Sequence, residues 1–462
     1  MYFEQFYLTC LAHASYMIGS NGEAAVVDPQ RDVDIYLKAA EEQNLKIRHI
    51  FETHLHADFV SGHKELAART GAKIYIGARA DAEFPHVPLT DGVEVKLGDV
   101  RIRALETPGH TPESMCFVVA DSSQPTMVFT GDTLFVGDVG RPDLSPSHSP
   151  QELAGLLYDS LHEKLLALPD EVKVYPAHGA GSLCGRAMRA EKSSTIGTER
   201  LTNYALQIAS REEFISQLTT NLPARPDYFL EDAEINRSGA STLRELPPLS
   251  ALFPADVQTL LQQGANVLDV RPGDVFAAAH VPGSVCIALS GQFASWAGGI
   301  FGIHSKPVLV GENDAEIEEA RLRLARVGIE DLRGYLAGGL AAWQKAGLPV
   351  ASTEQISPKE LRQRLQDGTL RSDDVVDVRR EGEWQAGHIS GVQCRPLDSF
   401  AHGLPSIGAN PVAVHCKSGY RSMIACSLLE RGGHGNVMNV AGGFDAWHAA
   451  GLPEVAEQLA NA

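Results

Sequence analysis

THLHADFVSGH, residues 53–63, sets two histidines around one leucine, an aspartate two positions on, and a phenylalanine directly after it. Histidine and carboxylate at this density point to metal binding. The stretch follows IRHIF, an apolar run that reads as a buried strand, so the cluster stands at a strand end. The same arrangement recurs along the first 180 residues. AAVVDP (24–29), RIRALETPGH (101–110), TMVFTGD (126–132) and VKVYPAHG (172–179) each read as a strand running into a turn. Amphipathic stretches such as VDIYLKAAEEQN and KELAARTG lie between some of them and predict helices, giving a layered α/β pattern. His54, His56, Asp58, His110, Asp132 and His178 thus all fall on loops at strand ends, where a rigid scaffold presents its chemistry.

The chain has 462 residues, 44% apolar and 21% charged, which suits about three soluble domains. Its net charge of −19 argues against nucleic acid or an anionic membrane as partner, since a phosphate binder wants a basic surface. The first residues lack the basic leader and apolar core of a signal peptide. No run approaches the length of a membrane span. The seven cysteines are scattered with no CxxC pair, which predicts a reducing, cytoplasmic setting.

The second half repeats itself. VLDVRPGDVFAAAHVPGSV (267–285) echoes VVDVRREGEWQAGHISGVQ (375–393), and LAGGLAAWQKAGLP (336–349) echoes VAGGFDAWHAAGLP (440–453). Each copy has the size of a domain. The polar stretch NRSGASTLRELPPLS, 236–250, is expected to be a linker. The predicted domains are therefore 1–240, 251–352 and 355–462.

The ordered motifs HxHxD, PGH, TGD and AHG resemble the metallo-β-lactamase superfamily, and the resemblance implies its αββα sandwich. In its binuclear members a histidine follows the aspartate of HxHxD and helps hold a second metal. Phe59 stands there instead, and a ring without a lone pair cannot coordinate, so a single metal is expected. The similarity is greatest to the persulfide dioxygenases. It implies one Fe(II) held by His54, His110 and Asp132, with O2 and a thiol persulfide as substrates and sulfite and thiol as products. It further implies that Asp58 is catalytic, and that His56 and His178 stand behind the ligands, orienting them and holding water. The ligands themselves accept iron, zinc or manganese. Within GDTLFVGDVGRPDL (131–144), Arg141 is a candidate to bind the substrate's carboxylate. Cys184, in HGAGSLCG, is a candidate to carry a persulfide sulfur.

VAVHCKSGYRSMIACSLLERGG, 412–433, reads as strand, short loop and amphipathic helix, with Cys416 opening the loop and Arg421 closing it. Loop N–H groups and the positive end of the helix dipole favour negative sulfur there. Lys417 and Arg421 add positive charge for sulfite or thiosulfate. This resembles the active-site loop of rhodaneses, and CKSGYR is one residue shorter than the CxxxxxR loop of cysteine phosphatases. Aligning the repeats at an offset of 104 sets Glu312 opposite Cys416 and Ile317 opposite Arg421, which predicts a middle domain with a rhodanese fold and no sulfur transfer. Cys286 and Cys426 read as core residues.

The whole is similar to fusions of a persulfide dioxygenase with a rhodanese, in which the sulfite of one site becomes thiosulfate at the other. The persulfide could be of glutathione, coenzyme A or bacillithiol, sulfur could flow in either direction, and a homo-oligomer is expected. Two other readings compete: a zinc thioester hydrolase of the glyoxalase II type joined to a sulfurtransferase, and a non-enzymatic sulfur carrier.

Overall fold

In the computed structural model, residues 1–121, 124–220, 222, 224–407 and 411–456 are described; the last six residues of the predicted third domain lie outside this set. The chain forms two compact units, Met1–Leu246 with Ala325–Gly328, and Pro247–Leu324 with Ile329–Ala462.

The first unit holds two six-stranded sheets. One runs in the order β1 (Tyr2–Leu8), β2 (His13–Ser20), β3 (Glu23–Val27), β4 (Lys46–Phe51), β5 (Lys73–Gly77), β6 (Val87–Leu89). The other holds β7 (Glu94–Leu97), β8 (Val100–Glu106), β9 (Met115–Asp121), β10 (Gln124–Gly131), β11 (Lys173–Pro176) and β12 (Ser194–Thr195), in the order β12-β11-β10-β9-β8-β7. Side chains alternate across each strand, so both sheets have two apolar faces. Tyr16, Ile18, Val27 and Phe51 meet Ile102, Phe117, Val119 and Phe129 in the core between the sheets. The outer face of the first sheet, through Met17, Val26 and Ile50, is covered by Tyr36 of helix Asp34–Glu42 and Leu66 of helix His63–Thr70. That of the second, through Val118, Val128 and Val174, is covered by Ala154 and Leu157 of helix Pro150–Ser160. This is the expected αββα sandwich. β4, β8, β10 and β11 each end where the candidate histidines and aspartates begin.

The second unit contains two five-stranded parallel sheets. The third sheet is built from β13 (Ala251–Leu252), β14 (Val267–Asp269), β15 (Val285–Cys286), β16 (Val308–Val310) and β17 (Gly334–Leu336), in the order β13-β17-β16-β14-β15. The fourth repeats that order with β18 (Glu354–Ile356), β19 (Val375–Asp377), β20 (Gln393–Cys394), β21 (Val412–His415) and β22 (Val437–Val440). The repeated residues do the same structural work in each copy. Arg271 is bonded to Asp269 and to the Ala279 carbonyl, and Arg379 to Asp377 and the Gly387 carbonyl. Trp343 and Trp447 each donate an indole N–H to the carbonyl six residues on, at Pro349 and Pro453.

Two expectations are corrected here. The segment 236–250 is not a free linker from its start. Asn236, Arg237 and Ser238 close the helix Tyr228–Ser238, and Asn236 is buried. Leu243 N–H bonds Glu65 at 2.8 Å, so the first unit continues to Leu246. The second correction concerns the repeat. Asp269 pairs with Val310 and Asp377 with His415, which sets Gly311, not Glu312, opposite Cys416. The offset is 105 where the loop begins and returns to 104 only afterwards. Glycine brings no side chain, so the middle domain still has no nucleophile at that place.

Candidate metal centre and cysteine loop

The four strand-end loops bring their residues together in two adjoining groups. Ligand atoms of His54, His110 and Asp132 lie within 4.8 Å of one another, and all three residues are buried. Each histidine has its Nδ1 already engaged: Thr53 Oγ1 lies 2.9 Å from that of His54, and the Arg141 carbonyl 2.9 Å from that of His110. This leaves Nε2 of both rings turned to Asp132 Oδ2, at 3.9 and 3.3 Å. Burial, with His56 adding to it, holds the His54 imidazole well below its ordinary pKa, and burial also lowers that of His110. Both rings thus keep a free lone pair. Burial alone would raise Asp132, but His178, His110 and His54 hold it well down, as a carboxylate. Two neutral imidazoles and one carboxylate on a common point are the donor set of a metal site with open positions.

Gly140 makes this arrangement possible. A Cβ there would lie 2.0 Å from the Asp132 carbonyl oxygen and 2.8 Å from His110 Nδ1, so only glycine lets the 138–141 turn carry the Arg141 carbonyl to His110.

The second group is Asp58, His178 and Cys184, again within 4.8 Å and buried. His178 stands between two carboxylates, with Nδ1 2.8 Å from Asp132 and Nε2 2.9 Å from Asp58. Burial opposes its charge, yet these aspartates raise its pKa well above the ordinary value. Burial, then Asp58 and Asp132, push the Cys184 thiol up, so it is held as S–H. Phe59, fully buried, lies 4.1 Å from the ring of His13 and 4.4 Å from that of His56, centroid to centroid. It forms an apolar wall beside the donors.

His56 is not gathered into the His54 group. Its Nε2 faces Asp28 at 3.3 Å and Glu52 at 3.4 Å, both buried. Arg141 also stands differently from its expected use. Its guanidinium is buried and bonded to both oxygens of Asp143 and to the Leu183 carbonyl, while its own carbonyl orients His110.

Several positioning residues escape a reading of the motifs. Asp28 accepts the N–H and hydroxyl of Thr53, which in turn meets His54. Asp28 and Glu52 directly follow β3 and β4, so the strand-end rule that found the histidines would have found them too. Asn236 gives no such signal.

In the second unit, Cys416 directly follows β21 and is buried. The Gly419 N–H points at its sulfur at 3.1 Å and the Ser422 hydroxyl at 3.5 Å. Gly443, of the AGGFDAW motif, has φ of +56°, and a Cβ there would come within 2.4 Å of the Cys416 carbonyl oxygen. Glycine is required because the cysteine loop crosses directly over it, the Cys416 carbonyl accepting from Phe444 N–H at 2.7 Å. Lys417 is exposed. Arg421 is half-buried and held by both oxygens of Glu383, at 2.6 and 2.7 Å, so its charge is largely matched before any anion arrives.

The fold and these sites define an αββα protein with a candidate metal centre, joined to two parallel-sheet domains, the second carrying a cysteine cradle. Profile comparison matches residues 8–178 to the metallo-beta-lactamase superfamily and residues 253–346 and 357–450 to the rhodanese-like domain. The mitochondrial persulfide dioxygenase ETHE1 of Bos taurus is 33% identical over 217 residues, 45% of this chain and 77% of that protein. A hydroxyacylglutathione hydrolase of Methylococcus capsulatus is 37% identical over 220 residues, 46% of this chain and 81% of that protein. Among solved structures, a metallo-beta-lactamase from Staphylococcus aureus subsp. aureus COL superposes with a TM-score of 0.65 and 32% identity, over 73% of this chain and 98% of that one. The chain belongs to the metallo-beta-lactamase superfamily, has persulfide dioxygenase homologues, and carries two rhodanese-like domains after its metallo-beta-lactamase domain. Among the described residues, no helix is long and apolar enough to cross a membrane.

Proposed function

We propose that the protein oxidises a low-molecular-weight thiol persulfide with O2 and passes sulfane sulfur through Cys416 to the sulfite formed. The observation that carries this is the separation of His56 from the donor group of His54, His110 and Asp132. A zinc hydrolase of the hydroxyacylglutathione hydrolase kind would use His56 as a ligand; here two carboxylates claim it.

The donor set fits one Fe(II) per chain, held by His54, His110 and Asp132. When bound, iron would supply the redox chemistry between O2 and a persulfide. The overall change is RSSH + O2 + H2O → RSH + SO3²⁻ + 2H⁺. The chain's own residues set the stage. Thr53 and the Arg141 carbonyl fix both imidazoles, Phe59 excludes water from one side, and His178 shares a proton with Asp132 and Asp58 where the product protons must leave.

In the rhodanese step the Cys416 thiolate attacks the outer sulfur of a second persulfide. The S–S bond breaks, the thiolate RS⁻ departs, and Cys416 holds the persulfide. Sulfite then attacks that outer sulfur, forming thiosulfate and returning the Cys416 thiolate. Gly419 N–H and Ser422 hydroxyl face the sulfur that carries charge in both halves. Lys417 is the exposed cation beside it, and the Arg421–Glu383 pair shapes the rim.

His110→Ala should abolish oxygen uptake and leave thiosulfate-to-thiol sulfur transfer within about twofold. Cys416→Ser should do the reverse, with sulfite replacing thiosulfate as product. Loss of both activities in both variants would overturn the proposal of separable sites.

A further inference from the structure

Two loops of the first unit lie against each other, 28–33 after β3 and 53–62 after β4. Asp28 accepts from Thr53, and the Pro29 carbonyl accepts both the Gly62 N–H and the Ser61 hydroxyl, each at 3.0 Å. They touch so closely that a Cβ on Gly62 would lie 2.2 Å from the Gln30 carbonyl oxygen. A third segment bonds to both. Ala325–Gly328 lies within the sequence of the middle repeat, yet it folds as part of the first unit. The Arg326 carbonyl accepts the N–H of Val60 at 2.7 Å. Val60 is fully buried, so that N–H has no water to turn to. The guanidinium of Arg326, also buried, holds Asp32 through Nε and Nη2 at 2.8 and 2.9 Å, 294 positions away in sequence. A two-pronged pair of this kind fixes orientation as well as distance.

We infer that Arg326 is a positioning residue for the metal centre, locking loop 28–33 to loop 53–62 and so holding His54 in place toward His110 and Asp132. The backbone of residue 326 fixes the position beside Phe59, and its side chain fixes the neighbouring loop. Each contact alone would leave the two loops free to slide past each other. The middle repeat has no nucleophile at the place of Cys416, and the contribution of this segment gives its sequence a task that needs none. The inference rests on reading His54, His110 and Asp132 as metal donors, and not on persulfide chemistry.

The test uses the full chain loaded anaerobically with Fe(II). Arg326→Gln should release iron to a chelator about 10-fold faster than the unsubstituted protein. It should also shift the paramagnetic resonance signal of the nitric oxide adduct at the iron, which a loss of global stability alone would not move. Asp32→Asn should do the same. The double variant should lose no more than either single variant, because each breaks the same pair and one alone leaves a charge unmatched. Arg326→Lys keeps the charge and the buried stem but not the two-pronged geometry; it should fold even where glutamine does not, and retain iron to an intermediate degree. The inference is overturned if both Arg326 variants match the unsubstituted chain in iron retention and adduct signal, or if the losses of Arg326→Gln and Asp32→Asn add. An unsubstituted chain that keeps no iron would fail the metal reading itself, and this inference with it. Oxygen uptake is not read, so failure of the dioxygenase proposal alone leaves the result standing.

Discussion

His56 lies between Asp28 and Glu52 with no exposure to solvent. Burial disfavours its charged form, but the two carboxylates more than reverse this and raise its pKa to about 10. Burial likewise works against the Glu52 carboxylate, which His63 and His56 hold down to about 2. The consequences for stability have opposite signs. The histidine's contribution is complete below its ordinary value of 6.5 and is lost as pH rises through about 10. The glutamate's is complete above 4.5 and is lost as pH falls toward about 2. The metal-free protein should therefore be most heat-stable between these ordinary values. Calorimetric melting across pH should show its alkaline decline flattened in His56→Gln; an unchanged decline would contradict the assignment. The sequence marks His56 by its motif, but not its orientation. Only the facing of Asp28 and Glu52, brought together by the parallel pairing of β3 and β4, decides that the ring turns away from the metal donors.

At the scale of elements, the helix Tyr228–Ser238 anchors the loop that follows β4. Its Asn236 accepts the Ser61 N–H and donates to the carbonyls of His56 and Phe59, at 2.8, 2.7 and 2.7 Å. One buried amide thus fixes the turn that carries Asp58. Removing it strands buried backbone groups at roughly 1–3 kcal/mol. Asn236→Ala should weaken metal retention by about 10–100-fold, the usual effect of losing a residue that orients a metal loop. Asn236→Asp should not rescue it, because a carboxylate cannot donate to the two carbonyls; rescue, measured by competition with a chelator, would refute the role. The strands were legible because each is a short apolar run ending in a turn. Asn236 was not, because a helix end anchored by hydrogen bonds has the same polar composition as a linker. The repeat likewise showed that a second rhodanese fold exists, through the Asp-x-Arg and Gly-Gly-x-x-Ala-Trp elements. Its one-residue change of register, which sets Gly311 at the place of Cys416, emerges only from strand pairing.

For the whole molecule, two chemistries on one chain raise the effective concentration of whatever passes between them. The αββα class and the cysteine loop were readable from ordered motifs at strand ends, whereas the choice of His54, His110 and Asp132 among six candidates came only from the family resemblance those motifs carry. The burial of Arg141 against Asp143 and the matching of Arg421 by Glu383 were not readable, since both depend on partners whose approach only the folded chain defines. The central claim is oxidation of a persulfide at the His54–His110–Asp132 site. Oxygen consumption tests it most directly, using protein reconstituted anaerobically with Fe(II), supplied with glutathione persulfide, and run beside a zinc-loaded control. The account predicts uptake with iron alone, one O2 consumed per persulfide oxidised, and none with zinc. No uptake with iron, together with thioester hydrolysis by the zinc form, would contradict it.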